Sequence, residues 1–212
     1  MAGDRGISEN PQTWADVPDI AVRVFFLKFK QFMDLVKNKG IFGKVAGSAY
    51  SIELQLRGMP HAHLLVTLDK DSKLDTPEKV DNVVWAHLPN PEKEDDPIKK
   101  KERLLELVKK HMIHTPCEDD GESYCREKQR MQNKKYQRCD KGFPKPFSDR
   151  TTFYPDGYVL PARPDDEDVC YEKIVDVKTG KGVKMTNQHV VCYNPHLLAM
   201  FDSHINVEIC SN

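Results

Sequence analysis

The chain has 212 residues, of which 39% are hydrophobic and 31% are charged, so we expect one domain with a modest core and a well-solvated surface. The formal net charge of −1 excludes a general electrostatic attraction to nucleic acid or to anionic membranes. No apolar run is long enough to span a bilayer, and the polar N-terminus lacks a signal-peptide core, so we expect a nuclear or cytoplasmic protein that is neither secreted nor membrane-bound.

The first predicted elements are a helix and a β-hairpin. Apolar residues recur at spacings of three and four over 19–38, and Gly40 follows as a stop signal, which predicts a helix. Alternating residues over 45–56 and an apolar run over 61–68 are separated by "RGMP". This pattern predicts two strands joined by a Gly/Pro turn.

Shorter elements follow. Thr76 and Pro77 are typical of an N-cap and of a first helical position. The predicted elements are a helix over 76–88, a helix over 97–110, a strand over 189–194, a helical turn over 195–201 and a strand over 204–210. We therefore predict an α+β fold over 1–212 with a central antiparallel sheet that carries the His-x-His strand, flanking helices and a Cys/His-rich loop insertion over 111–145.

Two histidines lie at strand spacing in "IELQLRGMPHAHLLVTL" (52–68). Because side chains alternate along a strand, His61 and His63 share one face. Glu53 and Gln55 share a face of the preceding strand, and the hairpin places that face beside the histidines. Two imidazoles and an oxygen ligand from Glu53 or Gln55 suit Mg²⁺ or Mn²⁺ acting on a phosphate. The alternative is a half-buried histidine pair without a metal.

Cysteines and histidines also cluster after the second predicted helix. Their irregular spacing in a non-secreted chain argues against a disulfide framework. A tetrahedral zinc site is one interpretation and a set of free thiols is the other. The candidate zinc ligands are His114, Cys117, Cys125 and Cys139, with His111 as a substitute.

The most basic segment is 126–138. Two interpretations explain its positive charge equally well: a solvated helix face or loop, and a surface that binds nucleic acid. A basic strip with an aromatic residue suits single-stranded DNA, through phosphate attraction and base stacking. The candidate DNA-binding residues are Arg57 beside the histidine pair, and Arg126, Arg130, Lys134, Lys135, Tyr136 and Arg138.

Three ordered motifs resemble those of one transposase family. The stretch "ELQLRGMPHAHLLV" resembles the two-histidine motif of Helitron transposases, which is close to Glu-Phe-Gln-Lys-Arg-Gly-Leu-Pro-His-Ala-His. "CDKGFPKPFSDRTTFYPDGY" (139–158) and "VVCYNPHLLAMFDSHINVEICSN" (190–212) agree in order. The resemblance extends from about Asn10 to the last residue.

The resemblance implies a replication initiator of the HUH type. In that class a metal held by the histidine pair positions a DNA phosphate for attack by a tyrosine, which keeps a covalent 5′-phosphate link. By match, His61 and His63 are metal ligands, and Gln55, with Glu53 second, is the third. The family carries paired tyrosines on a helix just downstream of "HINVE", and we expect them to be missing here, with the chain truncated before that helix. Tyr193 is interpreted as a packing residue.

The leading functional prediction is a metal-dependent nicking and strand-transfer domain for single-stranded DNA that lacks its tyrosine nucleophiles. A full-length transposase or a helicase domain would then supply the missing parts, since no Walker phosphate loop occurs here. The alternative is a non-catalytic remnant that binds single-stranded DNA. A histidine-triad hydrolase is disfavoured because Leu65 stands where a third histidine is needed, and a zinc peptidase because no His-Glu-x-x-His occurs.

Overall fold

The computed structural model describes residues 16–54, 59–92, 101–116, 139–176 and 180–211. The chain divides into two compact units, Met1–Lys73 and Leu74–Asn212. They are called unit 1 and unit 2 below. Within the described ranges, no helix combines the length and the apolar character needed to cross a membrane.

Unit 1 begins with the predicted helix. Helix α1 spans Pro18–Lys37, with Pro at its start and Lys37 in its last turn. Both positions favour a helix, because proline lacks the amide hydrogen that the first turn leaves unpaired and a cation complements the C-terminal dipole. The Gly40 stop signal is confirmed, since this glycine has φ +63°, a conformation that glycine adopts at little steric cost.

The predicted hairpin is also confirmed. Strands β1 (Val45–Leu54) and β2 (Pro60–Leu68) pair antiparallel, with Tyr50 opposite Leu64. The Tyr50 ring meets the Phe29 ring of α1 edge-on, at a centroid distance of 5.1 Å. One face of the hairpin therefore packs against α1, and the alternate residues lie on the other face. A short 3-10 helix, Lys70–Ser72, follows.

The described part of unit 2 is assembled from short elements around one main core. They are α2 (Pro77–Asp81), α3 (Lys101–His111), β3 (Thr152–Phe153), β4 (Val159–Leu160), β5 (Tyr171–Asp176), β6 (Lys181–Met185), a 3-10 helix (Asn187–His189) and α4 (Pro195–Phe201). Helices α3 and α4 supply much of the core through Leu104, Leu107, Val108 and Leu198. Tyr193 is fully buried in the same cluster, so its interpretation as a packing residue is confirmed.

Three predicted elements of unit 2 differ from the structure. The predicted 76–88 helix ends at Asp81, because Trp85 and Tyr193 exchange backbone hydrogen bonds of 2.8 and 2.9 Å. The predicted strand over 189–194 consists of a 3-10 turn and isolated bridges at Val190 and Tyr193. In place of the predicted strand over 204–210, the structure has an isolated bridge between Cys210 and Tyr158 and a backbone hydrogen bond of 3.0 Å from Val207 to Cys192.

The α+β class is correct at the level of mixed helices and antiparallel strands. Within the described ranges, however, the strands form three separate two-stranded sheets, β1–β2, β3–β4 and β5–β6, and no central sheet. The reason is that segments expected to extend a sheet make only isolated backbone bridges to other segments. The His-x-His sequence lies on the β1–β2 hairpin.

Candidate functional site

The two histidines of β2 lie side by side on one face of the hairpin. The ring centroids of His61 and His63 are 4.7 Å apart, and the ring planes are inclined by 71°. Their cross-strand partners are Glu53 and Ser51. All four side chains therefore lie on the face opposite the one that contacts α1.

Glu53 approaches both histidines. It is the register partner of His61, and its Oε2 lies 3.6 Å from Nε2 of His63. The side chains of Glu53 and His63 are each 60% exposed, so solvent and a ligand can reach them. One imidazole and a carboxylate thus lie close together at an accessible surface, and the second imidazole belongs to the cross-strand partner of that carboxylate.

The arrangement of these side chains is not that of a formed metal site. Among the described residues, no group of three or more His, Cys, Asp or Glu side chains is placed so that it could hold a metal ion. Oε2 of Glu53 lies 3.6 Å from Nε2 of His63. In an octahedral Mg²⁺ site with metal–ligand bonds of 2.0–2.1 Å, neighbouring ligand atoms are roughly 3 Å apart. Rotation of exposed side chains can close such a difference. Gln55 and Arg57 lie outside the described residues.

The candidate zinc ligands have different surroundings. His114 and Cys139 are neighbours, with Nε2 of the histidine 3.5 Å from Sγ of the cysteine. His111 instead pairs with Asp202, its Nε2 2.6 Å from the carboxylate Oδ1. Cys117 and Cys125 lie outside the described residues. So do the candidate DNA-binding residues Arg126, Arg130, Lys134, Lys135, Tyr136 and Arg138.

Asp202 is a charged centre that the sequence did not reveal. It ends α4 in a left-handed conformation, with φ 44°, and also accepts from Lys110 at 2.9 Å. The hydrogen bonds from His111 and Lys110 lower the pKa of Asp202 from 3.8 to about 2. The carboxylate thus links the ends of α3 and α4. The sequence offers no signal for this contact, because its partners are about ninety residues apart.

Two tyrosines with four-residue spacing lie on a hairpin instead of a helix. Tyr154 and Tyr158 flank the turn between β3 and β4, and their ring centroids are 6.1 Å apart. Burial raises the pKa of Tyr158, and the nearby Cys192 and Glu208 raise it further. Such surroundings oppose formation of a phenolate at Tyr158. Because neither residue of the pair lies on a helix, we do not assign these tyrosines as nucleophiles.

Comparison with protein families finds a match to part of the chain. The family described as "Helitron helicase-like domain at N-terminus" matches residues 4–66, a stretch that includes His61 and His63. This similarity indicates a transposon-related protein. No curated protein matches the chain.

Proposed function

We propose that this chain is the metal-binding part of a Helitron-type, HUH-class nuclease that nicks and transfers single-stranded DNA. The observation that supports it most is the convergence of His61, His63 and Glu53 on one accessible face of the hairpin. This face lies within the stretch similar to the Helitron domain. Gln55, close in sequence to Glu53, is a further proposed ligand.

In this proposal each side chain has a defined role at a DNA phosphate. A Mg²⁺ or Mn²⁺ ion would supply the polarisation of a phosphoryl oxygen. His61 and His63 would each donate a ring-nitrogen lone pair to the cation, and Glu53 would add a negatively charged oxygen that hard cations prefer. Arg57, next to the histidine pair in sequence, would contact the DNA backbone as a phosphate partner.

The attacking group is proposed to come from elsewhere. The described tyrosines offer no helical pair, and Tyr158 is held in surroundings that oppose ionisation. We propose that a full-length transposase supplies the nucleophilic tyrosines. A non-catalytic remnant that binds single-stranded DNA is the second candidate, favoured by the same lack of an assigned nucleophile.

The test measures binding of the purified chain to a fluorescent single-stranded oligonucleotide with and without Mn²⁺. We expect Mn²⁺ to strengthen binding by the wild type and by the control His196→Ala, whose exposed histidine lies on α4. The double variant His61→Ala/His63→Ala should lose this response. The proposed site would be contradicted if Mn²⁺ did not change the oligonucleotide affinity of the wild type. It would also be contradicted if Mn²⁺ strengthened binding by the double variant as much as binding by the wild type.

A second assay separates the two candidate functions. The chain is incubated with single-stranded DNA, Mn²⁺ and a full-length transposase whose own histidine pair has been replaced. Nicking that requires His61 and His63 of this chain supports the nuclease, and Mn²⁺-dependent binding without nicking supports the remnant. A covalent adduct formed by the purified chain alone would contradict the proposal that the attacking group comes from elsewhere.

A further inference from the structure

A second candidate metal site lies in unit 2, at the pair formed by His114 and Cys139. The two residues are 25 positions apart in sequence, yet Nε2 of His114 lies 3.5 Å from Sγ of Cys139. The sulfur is buried and the histidine is half-buried. This His114–Cys139 pair shares no residue with the histidine pair of the hairpin.

The orientation of His114 leaves one ring nitrogen available to a ligand. Its Nδ1 lies 2.8 Å from the carbonyl oxygen of Thr115, and since a carbonyl only accepts, Nδ1 carries the hydrogen. The lone pair of the neutral ring is then on Nε2, which faces the sulfur. Histidines that bind a metal through one ring nitrogen commonly donate a hydrogen bond from the N–H of the other ring nitrogen to a backbone carbonyl.

Packing holds the imidazole in this orientation. The Phe143 ring stacks on it at a centroid distance of 4.4 Å and an interplanar angle of 14°. The backbone amide of His114 donates to the carbonyl of His189 at 2.9 Å.

Cys139 begins a tight turn in which two backbone amides donate hydrogen bonds to it, one to the sulfur and one to the carbonyl oxygen. The amide of Lys141 donates to Sγ at 3.3 Å, and the amide of Gly142 donates to the Cys139 carbonyl at 2.8 Å. Gly142 closes the turn with φ +68°, a conformation that favours glycine. An N–H bond to sulfur stabilises the thiolate form, which is the form that binds metals.

We propose that His114 and Cys139 are two ligands of a Zn²⁺ ion. With a Zn–S bond of about 2.3 Å and a Zn–N bond of about 2.0 Å, tetrahedral ligands stand about 3.5 Å apart. The observed separation is 3.5 Å. A mixed sulfur and nitrogen donor set favours zinc over magnesium or calcium. Binding converts the Cys139 thiol to a thiolate, and the proton goes to solvent.

A hydrogen bond from the Cys139 thiol to Nε2 of His114 is the competing explanation, and metal binding distinguishes the two. The purified chain is stripped of metal and titrated with Zn²⁺ against a chromophoric chelator, and separately with Co²⁺ as a spectroscopic probe. We expect tight Zn²⁺ binding and a cobalt–thiolate charge-transfer band. Cys139→Ser should abolish or reduce that band, and His114→Asn should weaken Zn²⁺ binding at least about tenfold.

The control is Cys210→Ser, which alters an exposed cysteine and should bind Zn²⁺ like the wild type. A missing cobalt–thiolate band in the wild type, or an undiminished band in Cys139→Ser, would overturn the proposal. Zn²⁺ binding by His61→Ala/His63→Ala should be normal, so this test fails or succeeds independently of the proposed nuclease site.

A wild-type measurement covers the case in which a variant does not fold. Alkylation of each cysteine is followed by mass spectrometry with and without Zn²⁺. The proposal predicts that Zn²⁺ protects Cys139 while Cys210 remains reactive. Equal alkylation of Cys139 in both conditions would overturn it.

Discussion

At the residue scale, Glu53 is the side chain that would distinguish the proposed cation site from two adjacent histidines without a metal. Two imidazoles alone suit many metals, but a carboxylate 3.6 Å from His63 adds the charged oxygen that Mg²⁺ and Mn²⁺ prefer. Its position follows from strand register, because Glu53 is the cross-strand partner of His61.

Glu53→Gln is therefore expected to weaken Mn²⁺ binding by about tenfold, since each 1.4 kcal/mol of lost interaction is a factor of ten. The amide keeps the shape of the side chain and removes only its charge. Isothermal titration with Mn²⁺ measures the change. The matched control is Glu102→Gln, which changes an exposed residue of α3. Equal Mn²⁺ affinities for the two variants would contradict the assignment of Glu53 as a ligand.

Asp202 makes a second residue-scale prediction, on stability and pH. Because its folded-state pKa is about 2 and its usual value is 3.8, the stabilisation from this carboxylate is fully present above pH 4. It should be lost as the pH falls through 2. The variant Asp202→Asn should have a lower urea midpoint than the wild type at pH 6. Between pH 4 and pH 2, the urea midpoint of the variant should fall much less than that of the wild type. Asparagine is the suitable replacement because it tolerates the left-handed conformation. Parallel pH profiles for the two proteins would contradict the assignment.

Arg163 makes a contact that the sequence does not reveal. It lies in the proline- and aspartate-rich stretch "PARPDDED" (161–168), a composition typical of exposed loops. In the structure it is 1% exposed and donates to the carbonyls of Asn187 and Val190. Since those carbonyls belong to a segment more than twenty residues away, no local pattern could reveal the contact.

At the scale of elements, the turn between α1 and β1 depends on Gly43. This residue has φ +110°, and a Cβ added there would lie 2.7 Å from Cβ of Ser72. The Ser72 hydroxyl accepts from the Lys44 amide at 2.9 Å, so the 3-10 helix cannot shift freely. Glycine is required here by both conformation and space.

Gly43→Ala should consequently lower the free energy of unfolding by about 1–3 kcal/mol. Chemical denaturation of the full chain measures the change. Gly47→Ala is the control, since a Cβ there meets nothing within 4 Å. Similar unfolding midpoints for the two variants would argue against the tight contact at Ser72.

The sequence predicted local elements well and long-range ones poorly. Helix α1 and the β1–β2 hairpin were predicted because their periodicity and turn residues are local signals. The predicted helix over 76–88 was too long because Trp85 pairs with Tyr193. The alternation over 204–210 likewise predicted a strand, but the structure gives this segment an isolated bridge from Cys210 to Tyr158 and a backbone hydrogen bond from Val207 to Cys192.

At the scale of the whole molecule, the two candidate metal sites belong to different compact units. The His61, His63 and Glu53 face lies in unit 1, and the His114–Cys139 pair lies in unit 2. The sequence predicted both sets of residues, but it could not tell which potential ligands meet. The ligands of the hairpin meet because of the register between β1 and β2. His114 and Cys139 meet because the turn at Cys139 packs against a segment 25 residues earlier in the sequence.

We expect the two metals to bind independently. Cys139→Ser should leave the Mn²⁺ affinity within about twofold of the wild type, because the two sites share no residue and independent sites usually contribute additively. Mn²⁺ titrations of both proteins measure this. A Mn²⁺ affinity that falls with the loss of Cys139 would contradict the assignment of separate sites.

The most direct test of the hairpin site is Mn²⁺ binding in the absence of DNA, followed by electron paramagnetic resonance of the free ion. The wild type and the exposed-histidine control His196→Ala should bind Mn²⁺ alike, whereas His61→Ala/His63→Ala should bind at least about tenfold more weakly. Equal Mn²⁺ affinities for all three proteins would contradict a cation site on this hairpin.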